Sequence, residues 1–257
     1  MQNGTRPLIL VTNDDGYFAG GITALVEVAK DFGDVLVVSP NLPQSGMGHA
    51  ITINQPLRLQ RTTHFGDMEA YSCTGTPVDC VKLAIYGILK KKPDLIISGI
   101  NHGANFSINV LYSGTMSAAV EGAIEGIPSI GFSLLHHDKR ADFNASKKIA
   151  NKVIREALKN GISKNTCLNV NIPRGPFDEI RGIRVCRQGV GHWEDEFIER
   201  RDPSGEKYYW MSGSFGEMDK GEDTDSWALK NNYVSIVPVQ FDMTAHQEIS
   251  SINNWEL

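Results

Sequence analysis

The stretch Leu8–Gly21, LILVTNDDGYFAGG, decides how the rest of this 257-residue chain is read. Leu8-Ile9-Leu10-Val11 is a short, unbroken apolar run, the pattern of a strand buried on both faces in a parallel sheet. Asn13-Asp14-Asp15-Gly16 ends it, and Gly20-Gly21 leads into a helical run from Ile22 to Lys30. Two ionised carboxylates about 4 Å apart repel by roughly 4 kcal/mol at an effective dielectric near 20. Such a pair needs a cation, a shared proton or solvent between its members. A solvated turn of helix-capping residues is the plain alternative. Position favours a site, because open α/β sheets bind ligands at the carboxyl edge of their strands.

Composition bounds what that site serves. With 41% hydrophobic and 21% charged residues the chain reads as an ordinary globular protein, and no apolar run of about 18 residues suggests a bilayer span. A net charge of −5, without a basic patch, argues against a polynucleotide partner. The first residues, MQNGTRP, lack the basic start and apolar stretch of a signal peptide, so the expected location is the cytoplasm. Cys73, Cys80, Cys167 and Cys186 are scattered without paired spacing, as reduced structural thiols are.

Outward from the first strand, the pattern alternates strand and helix. Val35–Ser39 is a second β-branched run, closed by Pro40, and a right-handed crossover brings the loop PNLPQSGMGHA to the edge that holds Asp14 and Asp15. In that loop the Ser45 hydroxyl suits a metal shell and Gly46 allows close backbone approach to a phosphate; His49 reads as a surface histidine. Residues 51–72 alternate as a hairpin or a pair of edge strands. A helix then starts at Pro77 behind the capping loop Thr74-Gly75-Thr76. Leu95–Ser98 is a third buried strand, and a long loop follows it. Asn101 and Asn105 in that loop are neutral oxygen donors of the kind hard cations accept beside carboxylates. Ser113-Gly114-Thr115, at the start of a helix from Met116 to Gly126, offers N–H groups, hydroxyls and a favourable dipole to an anion. Further strands are expected at Ile127–Ser133 and Leu168–Ile172, with an amphipathic helix at Asn144–Lys159 between them. His136-His137 reads as a solvated pair.

These elements define an α/β fold with a three-layer, doubly wound, mostly parallel sheet. Over residues 174–257 the character changes to short strand candidates (Ile183–Arg187, Tyr208–Met211, Tyr233–Pro238), a charged segment Glu194–Glu206, and tryptophans Trp193, Trp210 and Trp227. An arm rich in exposed aromatics packs most simply on a second copy of the chain. The expectation is one domain over residues 1–257: a core to about 185, then a β-hairpin arm and return strand for oligomerisation.

If Asp14, Asp15, Ser45 and Asn101 gather around one divalent cation, Mg²⁺ or Mn²⁺ suits the all-oxygen donor set. Gly46 and Ser113-Gly114-Thr115 would then cover a phosphoryl group. Hydrolysis of a phosphate monoester by direct attack of water is the reaction that needs both, with Asp14 or Asp15 taking the proton.

The blocks TNDDGYFAGGI, VVSPNLPQSGMGHAIT, SCTGTPVDCVKLA, PDLIISGINHGANFSINVLYSGTMSAAVEGAIEGIPSIGFS and LNVNIP together resemble the SurE family of stationary-phase survival proteins, metal-dependent nucleotidases. The similarity covers about residues 8 to 173, and the arm more loosely through VCRQG. It implies a Rossmann-like core and hydrolysis of nucleoside 5′- and 3′-monophosphates. It also implies one divalent cation per subunit on Asp14, Asp15, Ser45 and Asn101, phosphate contacts from Gly46 and Ser113-Gly114-Thr115, and a homodimer or homotetramer joined through the arm; Asn105, in the same loop as Asn101, is expected among the substrate contacts. Ser45 rather than Ser39 is the serine at the matching QSG position, and the resemblance assigns no role to His49 or His102. Two alternatives stand against it. One is a haloacid-dehalogenase-like phosphatase working through a phospho-aspartate, although its two aspartates are separated by one residue whereas Asp14 and Asp15 are adjacent. The other is a nucleotide-sensing module without turnover.

Overall fold

Ile9, Leu10 and Val11 are fully buried in the computed structural model, which describes residues 6–138 and 140–256. They belong to β1 (Leu8–Thr12), which lies between β2 (Asp34–Pro40) and β5 (Leu95–His102), parallel to both. Alternation sends successive side chains to opposite faces. Ile9 and Val11 pack with Leu25 of α1 (Gly20–Ala29) and Ile149 and Val153 of α4 (Asn144–Asn160). Leu10 packs on the other face with Val81 of α2 (Pro77–Lys82) and Ala118 of α3 (Gly114–Ile124). Each such side chain contributes about 1.5–3 kcal/mol through burial, which is why an uninterrupted apolar run is needed at the sheet's centre.

The nine-stranded sheet has the order β3-β4-β2-β1-β5-β6-β7-β11-β8. The remaining members are β3 (Leu59–Arg61), β4 (Glu69–Cys73), β6 (Ser129–Leu134), β7 (Thr166–Ile172), β8 (Ile183–Val185) and β11 (Val234–Gln240). From β4 to β7 all neighbours are parallel; β3 and β11 run antiparallel to β4 and β7. After β1 the chain crosses to β2 and β4 on one side, and after β4 it returns by α2 to β5 on the other. The reversal opens a crevice between the carboxyl ends of β1 and β5, where doubly wound sheets bind ligands. The three-layer reading of the sequence holds.

Segment 51–72 takes the hairpin form of its two readings, β3 pairing antiparallel with β4; β3 is the edge strand and β4 is interior, parallel to β2. The helix from Pro77 continues beyond Lys82 as a wider π-type turn, Leu83–Leu89. The charged segment 194–206 supplies most of β9 (Gly191–Arg201), which pairs with β10 (Lys207–Glu217) along its whole length. This two-stranded ribbon stands apart from the main sheet and is largely exposed on both faces, so neither strand carries the alternation that marks a half-buried one. Helices α5 (Asp225–Lys230) and α6 (Ile249–Ile252) flank the return strand β11.

Helix α1 is drawn close to the crevice by Gly21. A Cβ there would lie 1.9 Å from the Ile100 carbonyl oxygen, whereas one at Gly20 would approach nothing closer than the Phe143 ring at 3.4 Å. Gly21→Ala is therefore expected to cost about 2–3 kcal/mol in urea unfolding and Gly20→Ala under about 1 kcal/mol. Equal effects would contradict the close approach.

Candidate functional site at the sheet switch point

At the end of β1 the two carboxylates diverge into different surroundings. Asp14 is 4% exposed, and its Oδ1 accepts a hydrogen bond of 2.5 Å from the Thr115 hydroxyl. Asp15 is partly exposed; its Oδ2 accepts from the His102 N–H at 3.1 Å and lies 3.0 Å from His102 Nδ1. Burial, and then the neighbouring Asp15 charge, push the Asp14 carboxyl up to about 6, against the lowering effect of the Thr115 bond. Among the described residues no lysine or arginine pairs with either aspartate.

The turn that carries them is fixed from below. Asn13, 1% exposed, donates through Nδ2 to the Gly16 carbonyl at 2.9 Å and accepts from the Ser39 hydroxyl at 2.5 Å. Ser39 is thus a brace for the turn and faces Asn13. Gly16 takes a φ of +88°, a region open to glycine at little cost, and this turns the chain away immediately after Asp15.

Two loops and a helix N-terminus meet this turn. Gln44 N–H donates to the Asp14 carbonyl at 2.7 Å, which sets Ser45 and Gly46 beside the aspartates. Both are exposed, and Gly46 has a φ of +75° with nothing near a Cβ, so its backbone faces open space. The far end of the loop is clamped to α3: His49 Nε2 lies 2.9 Å from Glu121 Oε2, and Lys82 Nζ lies 2.5 Å from Oε1. Burial alone would raise the Glu121 carboxyl, but these contacts bring it below its ordinary value. His49 is thus a tether as well as a loop histidine.

The second loop leaves β5. This strand runs past Ser98 through a register irregularity to His102, placing Asn101 and His102 on the crevice wall. Asn101 donates through Nδ2 to the Gly103 carbonyl at 2.8 Å, which leaves Oδ1 available as a donor atom for a cation. Asn105 is held by a closed ring of hydrogen bonds. Its N–H donates to Asn171 Oδ1 at 2.6 Å, Asn171 Nδ2 to Asn169 Oδ1 at 3.0 Å, and Asn169 Nδ2 back to the Asn105 carbonyl at 2.7 Å. Its own amide donates to Ser133 Oγ at 2.8 Å.

The third contribution is the N-terminus of α3. Ser113 caps it, its Oγ accepting from the Met116 N–H at 3.0 Å. Gly114 packs on Asp14 so closely that a Cβ would lie 2.7 Å from the Asp14 Cβ. The positive end of the helix therefore sits against the buried carboxylate. Thr115, expected at a phosphate, spends its hydroxyl on Asp14 instead.

Asp14, Ser45, Gly46, Asn101, Asn105 and Ser113 line one cavity of about 280 Å³. Asp15, Gly114 and Thr115 stand behind that wall. Sequence reasoning missed two parts of the surroundings. His102, next to Asn101, braces Asp15; the sign would have been that β5 continues through Gly99, which the end of the apolar run conceals. The aromatic wall of Phe106, Tyr112, Trp193 and Phe215 was also missed, because half of it arrives from the ribbon. Asp225 staples that ribbon's base to the site: its carboxylate accepts from the Ser107 N–H at 2.8 Å and the Gly189 N–H at 2.9 Å. His137, expected to be solvated, is exposed and also borders the cavity.

The donor set fits a hard divalent cation. It has two adjacent carboxylates, one buried without a cationic partner, and neutral oxygens at Asn101 and Ser45. Among the described residues no three His, Cys, Asp or Glu side chains gather as a metal-holding group, so a cation here would complete its shell on the neutral oxygens of Asn101 and Ser45.

A doubly wound α/β protein with an acidic, oxygen-donor crevice at its switch point is the class these elements define. The family model described as survival protein SurE matches residues 9–195. A curated relative from Flavobacterium psychrophilum, named 5′-nucleotidase SurE, is 56% identical over 98% of this chain and 99% of its own. One of the same name from Bacteroides fragilis is 44% identical over the full length of both. The crystal structure of a SurE protein from Aquifex aeolicus superposes with a TM-score of 0.84 at 41% identity, covering 96% of this chain and 98% of that one. The chain belongs to the SurE family.

The sealed position of Asp14 has a measurable cost. Its carboxyl titrates near about 6 folded and near about 3.9 unfolded, so the folded state holds the extra proton between those values. Without metal, stability therefore falls as pH rises through that window and stays reduced above it. In excess chelator at pH 7, Asp14→Asn is expected to raise the unfolding free energy by about 1–3 kcal/mol, and by less at pH 4.5. A variant less stable than the parent at pH 7 would contradict the burial argument.

Proposed function

We propose that this chain is a metal-dependent nucleotidase that hydrolyses nucleoside 5′- and 3′-monophosphates to nucleoside and phosphate. The observation that carries the reading is that Asp14, Asn101 and Ser45 line one cavity with Ser113, the cap of α3, while Asp15 follows Asp14 in the chain. The activity printed in the names of relatives such as the one from Flavobacterium psychrophilum supports it. On this reading Asp14, Asp15, Asn101 and Ser45 hold one Mg²⁺ or Mn²⁺ per subunit. When bound, the cation polarises the phosphoryl group and offsets charge on the leaving oxygen.

The chain's own residues do the rest. The Gly46 N–H and the first N–H groups of α3 receive phosphoryl oxygens, aided by the helix dipole and by Ser113, which keeps that terminus formed. Asn105, immobilised by its ring of hydrogen bonds, is placed to fix the monoester at the inner wall. Asp15 keeps Oδ1 free while His102 holds Oδ2, so Oδ1 is placed to take the proton that the attacking water sheds. The Thr115 hydroxyl and the close packing of Gly114 fix Asp14, while both residues offer their backbone N–H groups to phosphate.

The whole chain acts as one domain on this reading, with the ribbon and C-terminal segment joining subunits into a homodimer or homotetramer. Exposed Phe197, Trp210, Met211 and Trp255 support that assembly. Four free, buried cysteines support a cytoplasmic setting. Among the described residues no helix is long and apolar enough to cross a membrane.

Phosphate release should be measured from AMP, GMP, CMP and UMP with Mg²⁺, Mn²⁺ or excess chelator. Turnover with at least one metal, none in chelator, and a loss of about 100-fold or more in both Asp14→Asn and Asp15→Asn are expected. Turnover that survives chelation, or undiminished activity in either variant, would overturn the reading. Trapping of a phospho-aspartate would transfer the chain to the alternative phosphatase mechanism.

A further inference from the structure

The loop that carries Ser45 and Gly46 is fixed to the fold on both sides of that pair. Before it, the Asn41 N–H donates to the Cys73 carbonyl and the Gln44 N–H to the Asp14 carbonyl, each at 2.7 Å. After it, the Gly48 N–H donates to the Tyr112 carbonyl at 3.2 Å, His49 Nε2 lies 2.9 Å from Glu121 Oε2, and the Ala50 carbonyl accepts from the Thr76 hydroxyl at 2.7 Å. Among the described residues Ser45, Gly46 and Met47 make no hydrogen bond to another part of the fold. Gly46 and Gly48 take φ of +75° and +54°, so the turn has the freedom of two glycine backbones. Its shape is therefore set by its anchors.

The His49 anchor differs from the others in where it is attached. Glu121 lies on α3 about two helical turns beyond the cap Ser113. This helix is pressed against the sheet, since a Cβ on Gly122 would lie 2.0 Å from Ser129 Oγ of β6. One rigid helix therefore presents its N-terminus to the crevice and, further along, grips the loop that opens on the same crevice. Glu121 is 2% exposed, and a carboxylate so buried needs partners for its charge. It has His49 and, at 2.5 Å, Lys82. Lys82 belongs to α2, so of the two partners only His49 belongs to the loop. The lining of the acidic cavity includes Ser45 and Gly46 but neither His49 nor Glu121, and any influence of this pair on the site passes through the turn between them.

We propose that the His49–Glu121 pair is the positioning device of the site: through it α3 sets the placement of the Ser45–Gly46 turn relative to its own N-terminus, so that cation and phosphoryl group are received together. His49 is a positioning residue that touches neither metal nor substrate. The inference rests on the nucleotidase reading and adds the residue that keeps a glycine-rich turn in register with the aspartates. A turn held in advance spares cation and substrate the entropy of ordering it. The effect therefore falls on binding and leaves the chemical step nearly unchanged.

The test compares the full-length wild type with His49→Ala, His49→Gln and Lys82→Ala. Mn²⁺ binding is titrated by calorimetry without substrate, and kcat and KM for AMP are measured at saturating Mn²⁺. His49→Ala should raise Kd for Mn²⁺ about threefold or more and KM for AMP about tenfold, with kcat changed by less than about threefold. His49→Gln, whose side-chain amide can donate to Glu121, should recover most of both losses. Lys82→Ala removes the partner of the other Glu121 oxygen and should leave both constants within about twofold. Amide hydrogen exchange over residues 45–48 should quicken about tenfold in His49→Ala and stay at the wild-type rate in Lys82→Ala. Unchanged Mn²⁺ binding and KM in His49→Ala, equal losses in Lys82→Ala, or no recovery in His49→Gln would overturn the proposal. If the wild type hydrolyses no monoester but Mn²⁺ binding weakens in His49→Ala and not in Lys82→Ala, the catalytic reading fails and the positioning role stands.

Discussion

Two adjacent carboxylates at the end of a fully buried strand are the constraint from which the rest of this architecture follows. Left alone they repel, and burial adds a desolvation cost to the Asp14 charge. Most of what surrounds them either holds that unfavourable pair in place or partly compensates it. Ser39 braces Asn13, Gly16 turns the chain away, Thr115 donates to Asp14, and the positive end of α3 lies against it through Gly114. His102 holds the outer carboxylate at two points. The remaining charge imbalance is what a divalent cation would remove. Stored instability of this kind is common at functional sites, where a local rule of folding is broken and supported from outside.

The supporting parts come from distant positions in the chain, and topology brings them together. Strand β1 ends beside β5 because the crossovers reverse there, so loops after β1, β2 and β5 all open on one edge. The switch point also explains why α3 can approach end-on. The ribbon comes later in the chain, is tied to the Ser107 turn by the buried Asp225, and gives the crevice an aromatic side. The acidic wall and the aromatic wall are thus built by different parts of the fold.

How much of this could be read from residues alone follows from burial. Strand β1, the helix after it and the alternation through β7 were legible because each buries a face whose period shows in the sequence. Asp14, Asp15, Ser45, Gly46, Asn101 and Ser113 were legible as donors at strand and helix ends, and the family resemblance joined them into one set. The direction of the Thr115 hydroxyl was not legible, since a hydroxyl at a helix start serves an anion or a neighbouring carboxylate equally well. His102 was missed because β5 continues through Gly99, where apolar patterning stops. The ribbon was read only in fragments, since a two-stranded element exposed on both faces leaves no period-two signal, and the charges of Glu194–Glu206 concealed the strand that carries Trp193.

The claim on which everything else depends is that Asp14 and Asp15 are held together for a cation that both touch. An anomalous difference map from a crystal of the wild-type chain soaked in Mn²⁺ tests it most directly. The account predicts one strong peak per subunit in contact with both carboxylates and with Asn101. An empty crevice in a crystal that takes up manganese elsewhere, or a peak touching neither aspartate, would contradict it.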